Sequence, residues 1–172
     1  MNTANKLTML RVILIPVFLL LAYIQHMYAA FAVYIIACIT DFVDGYVARH
    51  YNQTTNFGKF MDPLADKVLV LSAMCYFVEM GWMPGWAVAV VLFREFAVSG
   101  MRLIAVEQGR VIAAAWSGKV KTACTMVCLC AMLLFWNIEL VRLISTALIV
   151  ITTVYSGIEY FWKNRDVFKN VD

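Results

Sequence analysis

Apolar residues run along this chain in six long blocks, at about 8–27, 30–50, 58–79, 84–107, 117–137 and 139–162. Short polar or turn-forming clusters separate them: Gln25-His26, Asn52-Gln53-Thr54-Thr55-Asn56, Gly81 to Gly85 with Pro84, Glu107-Gln108-Gly109-Arg110, and Asn137. A helix needs about 20 mainly apolar residues to cross a bilayer, and each block has that length. The pattern therefore predicts an all-α, polytopic membrane protein with six transmembrane helices in a single domain over 1–172. Residues 2–8 are too polar to insert and are expected to lie on the surface as a short N-terminal interfacial helix. No internal repeat, low-complexity tract or linker interrupts the series.

Composition strengthens this reading. Hydrophobic residues make up 63% of the chain and charged residues 15%. A typical soluble domain is about 45–50% apolar, so such a chain has too little polar surface to enclose its core in water. A cytosolic enzyme, a disordered chain and a nucleic-acid binder are excluded. The net charge of +3 matters less than its distribution. With six spans both termini share one side, and that side holds twelve basic residues, from Lys6 and Arg11 to Arg165 and Lys169. The opposite loops hold Arg142 alone, so both termini are expected in the cytoplasm. Lys6 and Arg11 before an apolar run, with Ala30-Phe31-Ala32 beyond, also fit a signal peptide. A retained first span is the expected outcome, because the rest of the chain stays in the membrane.

Cys38, Cys75, Cys124, Cys128 and Cys130 all lie in apolar runs, with no histidine at ligand spacing. They are expected to be small buried thiols. Gly81 and Gly85 form a GxxxG, but Pro84 and the loop setting argue against a dimerisation face.

Spans two and three carry Asp41, Asp44, Asp62 and Asp66. Each costs at least ~2.5–3.5 kcal/mol near the centre of a membrane helix, so four need a cationic partner. Asp41 and Asp44 are three residues apart and Asp62 and Asp66 four apart, so each pair projects from one helical face. The loop between the spans is short, which makes them antiparallel neighbours whose pairs face each other. Oxygen ligands without His or Cys favour hard divalent ions, and four carboxylates suit two Mg²⁺ or Mn²⁺ ions. Gly45 and Ala48 leave room for a bulky group, and Arg49 is placed for a phosphate or nucleotide. Taken alone, Arg49 is equally a cytoplasmic anchor.

The whole string reads Asp41-x2-Asp44-Gly45-x2-Ala48-Arg49-x8-Gly58-x3-Asp62-x3-Asp66. It resembles, at every fixed position, the signature of the CDP-alcohol phosphotransferases. That resemblance implies a six-span membrane enzyme that moves a phosphatidyl or related group from a CDP-linked donor to an alcohol and releases CMP. It implies that Asp41, Asp44, Asp62 and Asp66 bind two divalent metals, and that Asp66 is also the general base. It places Gly45, Arg49 and Thr55 against the CDP moiety, and it implies a homodimer. Paired metals would neutralise the pyrophosphate and the leaving group, and a carboxylate near the acceptor hydroxyl completes general-base catalysis.

Arg94-Glu95 in mid-span, Ser99, Arg102, and Lys119, Lys121 and Thr122 at the start of span five concentrate positive charge near one cavity. This favours an anionic acceptor such as a phosphate monoester. The bland alternatives are anchoring for Lys119 and Lys121, and a mutual salt bridge for Arg94 and Glu95. The segments Arg94-Glu95-Phe96-Ala97-Val98-Ser99-Gly100-Met101-Arg102 and Gly118-Lys119-Val120-Lys121-Thr122, with Asn5 to Arg11, resemble the bacterial phosphatidylglycerophosphate synthases. That implies glycerol 3-phosphate as acceptor, CDP-diacylglycerol as donor, and a bacterial cell membrane with the active site on its cytoplasmic side. It also puts Asn5, Thr8 and Arg11 over the cytidine. A family member with another acceptor, as in cardiolipin or phosphatidylinositol phosphate formation, is the nearest rival. An ion transporter would explain intramembrane carboxylates but not Gly45, Ala48 and Arg49 at motif spacing.

Overall fold

The structure is a computed structural model that describes the backbone of residues 3–50, 56–113 and 115–170, and side chains over 7–40, 60–113 and 115–167 with Val43 and Gly58. Among the described residues six α-helices follow one another: α1 Thr3–Tyr23, α2 Met27–His50, α3 Asn56–Glu79, α4 Gly85–Glu107, α5 Trp116–Leu134 and α6 Glu139–Lys163. A terminal 3-10 helix, Arg165–Asn170, closes the chain, and no strand occurs among the described residues. The polar residues expected to form a separate interfacial helix are instead the first turns of α1, continuous with its apolar part.

Three of the helix ends share one device. The amide of His26 bonds to Leu21 O at 2.9 Å, that of Trp82 to Phe77 O at 2.8 Å, and that of Arg110 to Ala105 O at 2.8 Å. Each such wrap requires a left-handed residue just before it. Gly81 (φ 70°) and Gly109 (φ 73°) supply it without strain, whereas Gln25 (φ 61°) adopts it with a side chain. The first helix therefore stops at Tyr23, short of the end of its apolar block.

α6 shows most directly which solvent the fold is built for. Its buried face carries Ser145, Thr146, Ile149, Thr153, Ser156 and Tyr160. Its exposed face carries Leu143, Ile144, Leu148, Ile151, Ile158 and Trp162. A soluble helix turns its apolar stripe inward. Here polar groups face the bundle and aliphatic ones face out, the arrangement that hydrocarbon demands. By length and composition α5 and α6 are each able to cross a membrane. Shorter apolar stretches occupy Leu7–Tyr23 and Met27–Thr40, while charged side chains interrupt α3 and α4.

α1 packs along α2 and α3, α2 reaches α5, and α6 lies against both α4 and α5. The main core gathers Phe18, Tyr34, Leu69, Phe77, Leu129 and Leu133 from four of these helices. At the end of the bundle formed by the 81–84 turn, Trp82 stacks on Trp136 at 6.3 Å and Arg142 lies over the Trp82 ring. Trp136 thus packs this end of the bundle. A second cluster, of Val98, Met101, Ala105, Tyr160 and Val167, joins the opposite end of α4 to α6 and the terminal 3-10 helix. The five cysteines are free thiols, but the expectation of burial holds fully only for Cys128, and Cys75 is exposed. On a membrane helix an outward position is apolar too, so a cysteine there needs no protein cover.

Candidate active site

Seven charged residues of α3, α4 and α5 meet in one cavity of about 690 Å³. Its lining brings Asp66 and Lys67 from α3, Arg94, Glu95 and Arg102 from α4, and Lys119, Lys121 and Thr122 from α5 to a single space. Tyr160 of α6 also lines it. Helical spacing explains the convergence. Arg94 and Arg102 are eight residues apart on α4, and Gly118 and Lys121 three apart on α5, so each set shares a face.

Glu95 organises the charge. Its Oε1 accepts from Arg94 Nη1 at 2.9 Å and from Lys121 Nζ at 3.0 Å, and Oε2 lies 3.7 Å from Lys67 Nζ. The salt bridge between Arg94 and Glu95 exists, and both residues still face the cavity. Lys67 also donates to Ser99 Oγ at 3.2 Å, which ties Ser99 to the cavity rim although it does not line it. Among the described residues, five cationic side chains and two carboxylates line the cavity. Cationic side chains gathered in this way attract an anion.

α6 holds the two arginines. Arg94 Nη2 donates to Ser156 Oγ at 2.6 Å, and Arg102 Nε donates to Tyr160 Oη at 3.0 Å. The Arg102 guanidinium also lies 5.5 Å from the Tyr160 ring centre. Glycines on both flanking helices admit Arg94: a Cβ on Gly118 would stand 3.3 Å from Nη2, and one on Gly157 3.3 Å from Cγ. Sequence reasoning passed over Lys67, Ser156, Gly157 and Tyr160. The visible signal was the small and hydroxylated residues recurring every three to four positions along α6.

On the other side of Asp66, Asp62 Oδ1 accepts a hydrogen bond of 2.5 Å from Thr8 Oγ1. Thr8 and Arg11 are fully buried against this part of the bundle. Asp41, Asp44, Gly45 and Arg49 belong to α2, but their side chains lie outside the described residues, as do Thr55 and the side chain of Asn5. Among the described residues, no three metal-binding side chains cluster. The donors present, two carboxylates and a hydroxyl, are all hard oxygens and suit Mg²⁺ or Mn²⁺.

Residues 1–156 match the family described as CDP-alcohol phosphatidyltransferase. The chain belongs to this family. It is 40% identical over 189 aligned positions to the CDP-diacylglycerol–glycerol-3-phosphate 3-phosphatidyltransferase of Bacillus subtilis (strain 168), covering 98% of this chain and 97% of that one. The protein of the same description from Escherichia coli (strain K12) is 38% identical over 168 positions, with 92% of each chain covered. A probable phosphatidylglycerophosphate synthase of Mycobacterium tuberculosis (strain H37Rv) is 38% identical over 167 positions, 92% of this chain and 79% of its own length. As a CDP-alcohol phosphatidyltransferase, the chain is a transferase, and the ion-transporter alternative falls. The family match includes α1 to α5 and most of α6, and it stops just before Gly157 and Tyr160.

Proposed function

We propose that the protein transfers the phosphatidyl group of CDP-diacylglycerol to glycerol 3-phosphate, giving phosphatidylglycerophosphate and CMP. One observation carries this reading: a single cavity joins Asp66, at the end of the family motif, to Arg94, Arg102, Lys119 and Lys121. A carboxylate that takes a proton and a cluster that holds a phosphate are what a phosphorylated alcohol requires.

In this reading the guanidinium groups of Arg94 and Arg102, with Lys119 and Lys121, hold the acceptor phosphate. Thr122 spends its hydroxyl on Gly118 O at 3.0 Å, so it shapes the wall rather than binding the anion. Asp66 accepts the proton of the primary hydroxyl. That oxygen forms a bond to the phosphorus bearing the diacylglycerol, and the bond from this phosphorus to the CMP oxygen breaks. Asp41, Asp44, Asp62 and Asp66 would hold two Mg²⁺ or Mn²⁺ ions, which supply charge neutralisation for the pyrophosphate. Gly45, Arg49 and Thr55, with Asn5, Thr8 and Arg11, take the CDP end of the donor.

The enzyme sits in a bacterial cell membrane through six spans, with both termini and the active site facing the cytoplasm, and works as a homodimer. The outward aliphatic face of α6 and the concentration of basic residues on one side support this topology.

The test is CMP release by purified protein in detergent, given CDP-diacylglycerol, Mg²⁺ or Mn²⁺, and one acceptor at a time. Release with glycerol 3-phosphate that EDTA abolishes is expected. Release only with phosphatidylglycerol or an inositol phosphate would reassign the acceptor.

A further inference from the structure

We infer that Tyr160 is a positioning residue for the acceptor: it turns the Arg102 guanidinium so that its two terminal amino groups face the cavity. The inference rests on the acceptor reading above and deepens it. Arg102 itself is exposed on α4, and a long, solvated arginine samples many rotamers unless something fixes it. Tyr160 is 1% exposed, packed within the cluster of Val98, Met101, Ala105 and Val167, so its ring and hydroxyl are held in place. The guanidinium carbon lies 5.5 Å from the centre of that rigid ring, and the ring's hydroxyl takes the Nε–H at 3.0 Å.

The atom chosen is informative. A guanidinium has two edges able to grip an oxyanion in a bidentate manner, one made by Nε and an amino nitrogen, the other by both amino nitrogens. With Nε engaged by Tyr160, the second edge is the one left for a phosphate. The hydrogen bond to a fixed hydroxyl sets the direction of the Nε–H, and the ring beside it limits how far the guanidinium can swing. Arg94 is held by the same helix one turn earlier, through Ser156. α6 thus presents both arginines while contributing no charge of its own to the cavity.

The experiment compares Tyr160→Phe, Arg102→Ala and the double variant by steady-state CMP release, varying each substrate separately. Tyr160→Phe keeps the ring and its packing and loses only the hydroxyl. The acceptor KM is expected to rise about three- to tenfold, the effect of one hydrogen bond to a charged group, while kcat and the donor KM stay in place. In the Arg102→Ala background the same change is expected to do nothing further, because its target is gone. An equal effect in both backgrounds, or a fall in kcat with both KM values moving together, would make Tyr160 structural only. If Arg102→Ala raises the acceptor KM and Tyr160→Phe does not, positioning fails while the acceptor reading stands. If Arg102→Ala leaves the acceptor KM unmoved, Arg102 is no acceptor ligand and both fall.

Discussion

Lys121 donates to Glu95 at 3.0 Å from a side chain only 6% exposed, so a lysine of α5 is neutralised by a glutamate of α4 inside the bundle. Removing one partner of such a pair leaves a buried charge, at a cost of about 3–5 kcal/mol. The two partners are not equivalent. Glu95 serves Arg94 and Lys67 as well, whereas Lys121 has Glu95 as its ion-pair partner. Glu95→Ala should therefore lower stability by about that amount, and Lys121→Met by clearly less. Thermal or denaturant unfolding in detergent checks the order, and a Lys121→Met variant weaker than Glu95→Ala would contradict it.

The glycines beside Arg94 give a second test. Alanine on either helix gains up to about 1 kcal/mol of helix propensity. At Gly118 the new methyl meets Nη2, the movable end of the side chain. At Gly157 it meets Cγ, close to the α4 backbone, where little can give. Overpacking of that kind costs about 1–3 kcal/mol. Gly157→Ala should lower the melting temperature and raise the acceptor KM. Gly118→Ala should leave stability near the parent value and act on KM alone. A more stable Gly157→Ala with an unchanged KM would mean that Arg94 is not seated by this glycine.

These two residues mark where the sequence was readable and where it was not. Arg94, Glu95, Lys119 and Lys121 stand out because charge inside an apolar helix costs energy and demands a reason. Their convergence on one cavity followed from helix spacing. α6 has no such cost to announce it: Ser156, Gly157 and Tyr160 pass as ordinary residues of an apolar helix, and their importance comes from the arginines that α4 brings to them. Lys67 counted in the sequence only as one of the twelve basic residues on one side, yet it reaches Glu95 and Ser99. The end of α1 at Tyr23 was hidden for another reason, since a left-handed glutamine is not a residue that composition favours there.

Thr8 tests the carboxylate end of the site. Its hydroxyl donates to Asp62 Oδ1 at 2.5 Å and ties the first helix to a proposed metal ligand. Groups that orient a ligand in this way typically contribute 10–100-fold in metal affinity or activity. Thr8→Val, close in shape but without the hydroxyl, should shift the Mg²⁺ or Mn²⁺ concentration for half-maximal activity upward by about tenfold. Thr8→Ser should restore it. A Thr8→Val enzyme with an unshifted metal titration would separate Asp62 from metal binding or Thr8 from Asp62.

Acceptor charge is the last test, and it needs no mutation. Among the described residues, Lys67, Arg94, Arg102, Lys119 and Lys121 line the cavity with Glu95 and Asp66. A phosphate monoester suits those cations, and glycerol offers the same attacking hydroxyl without the phosphate. Sites built to bond a polar group reject analogues that lack it by about 10⁴–10⁵-fold in kcat/KM, because their own buried donors are then left unpaired. Glu95 already satisfies part of the charge, and Arg102 and Lys119 are exposed to water, so a rejection smaller than that range is expected. Arg102→Ala should narrow the gap by weakening the phosphate substrate while leaving glycerol unaffected. Parallel CMP-release assays with the two alcohols measure both effects. Comparable kcat/KM values for glycerol and glycerol 3-phosphate would show that the cationic wall has a purpose other than holding the acceptor.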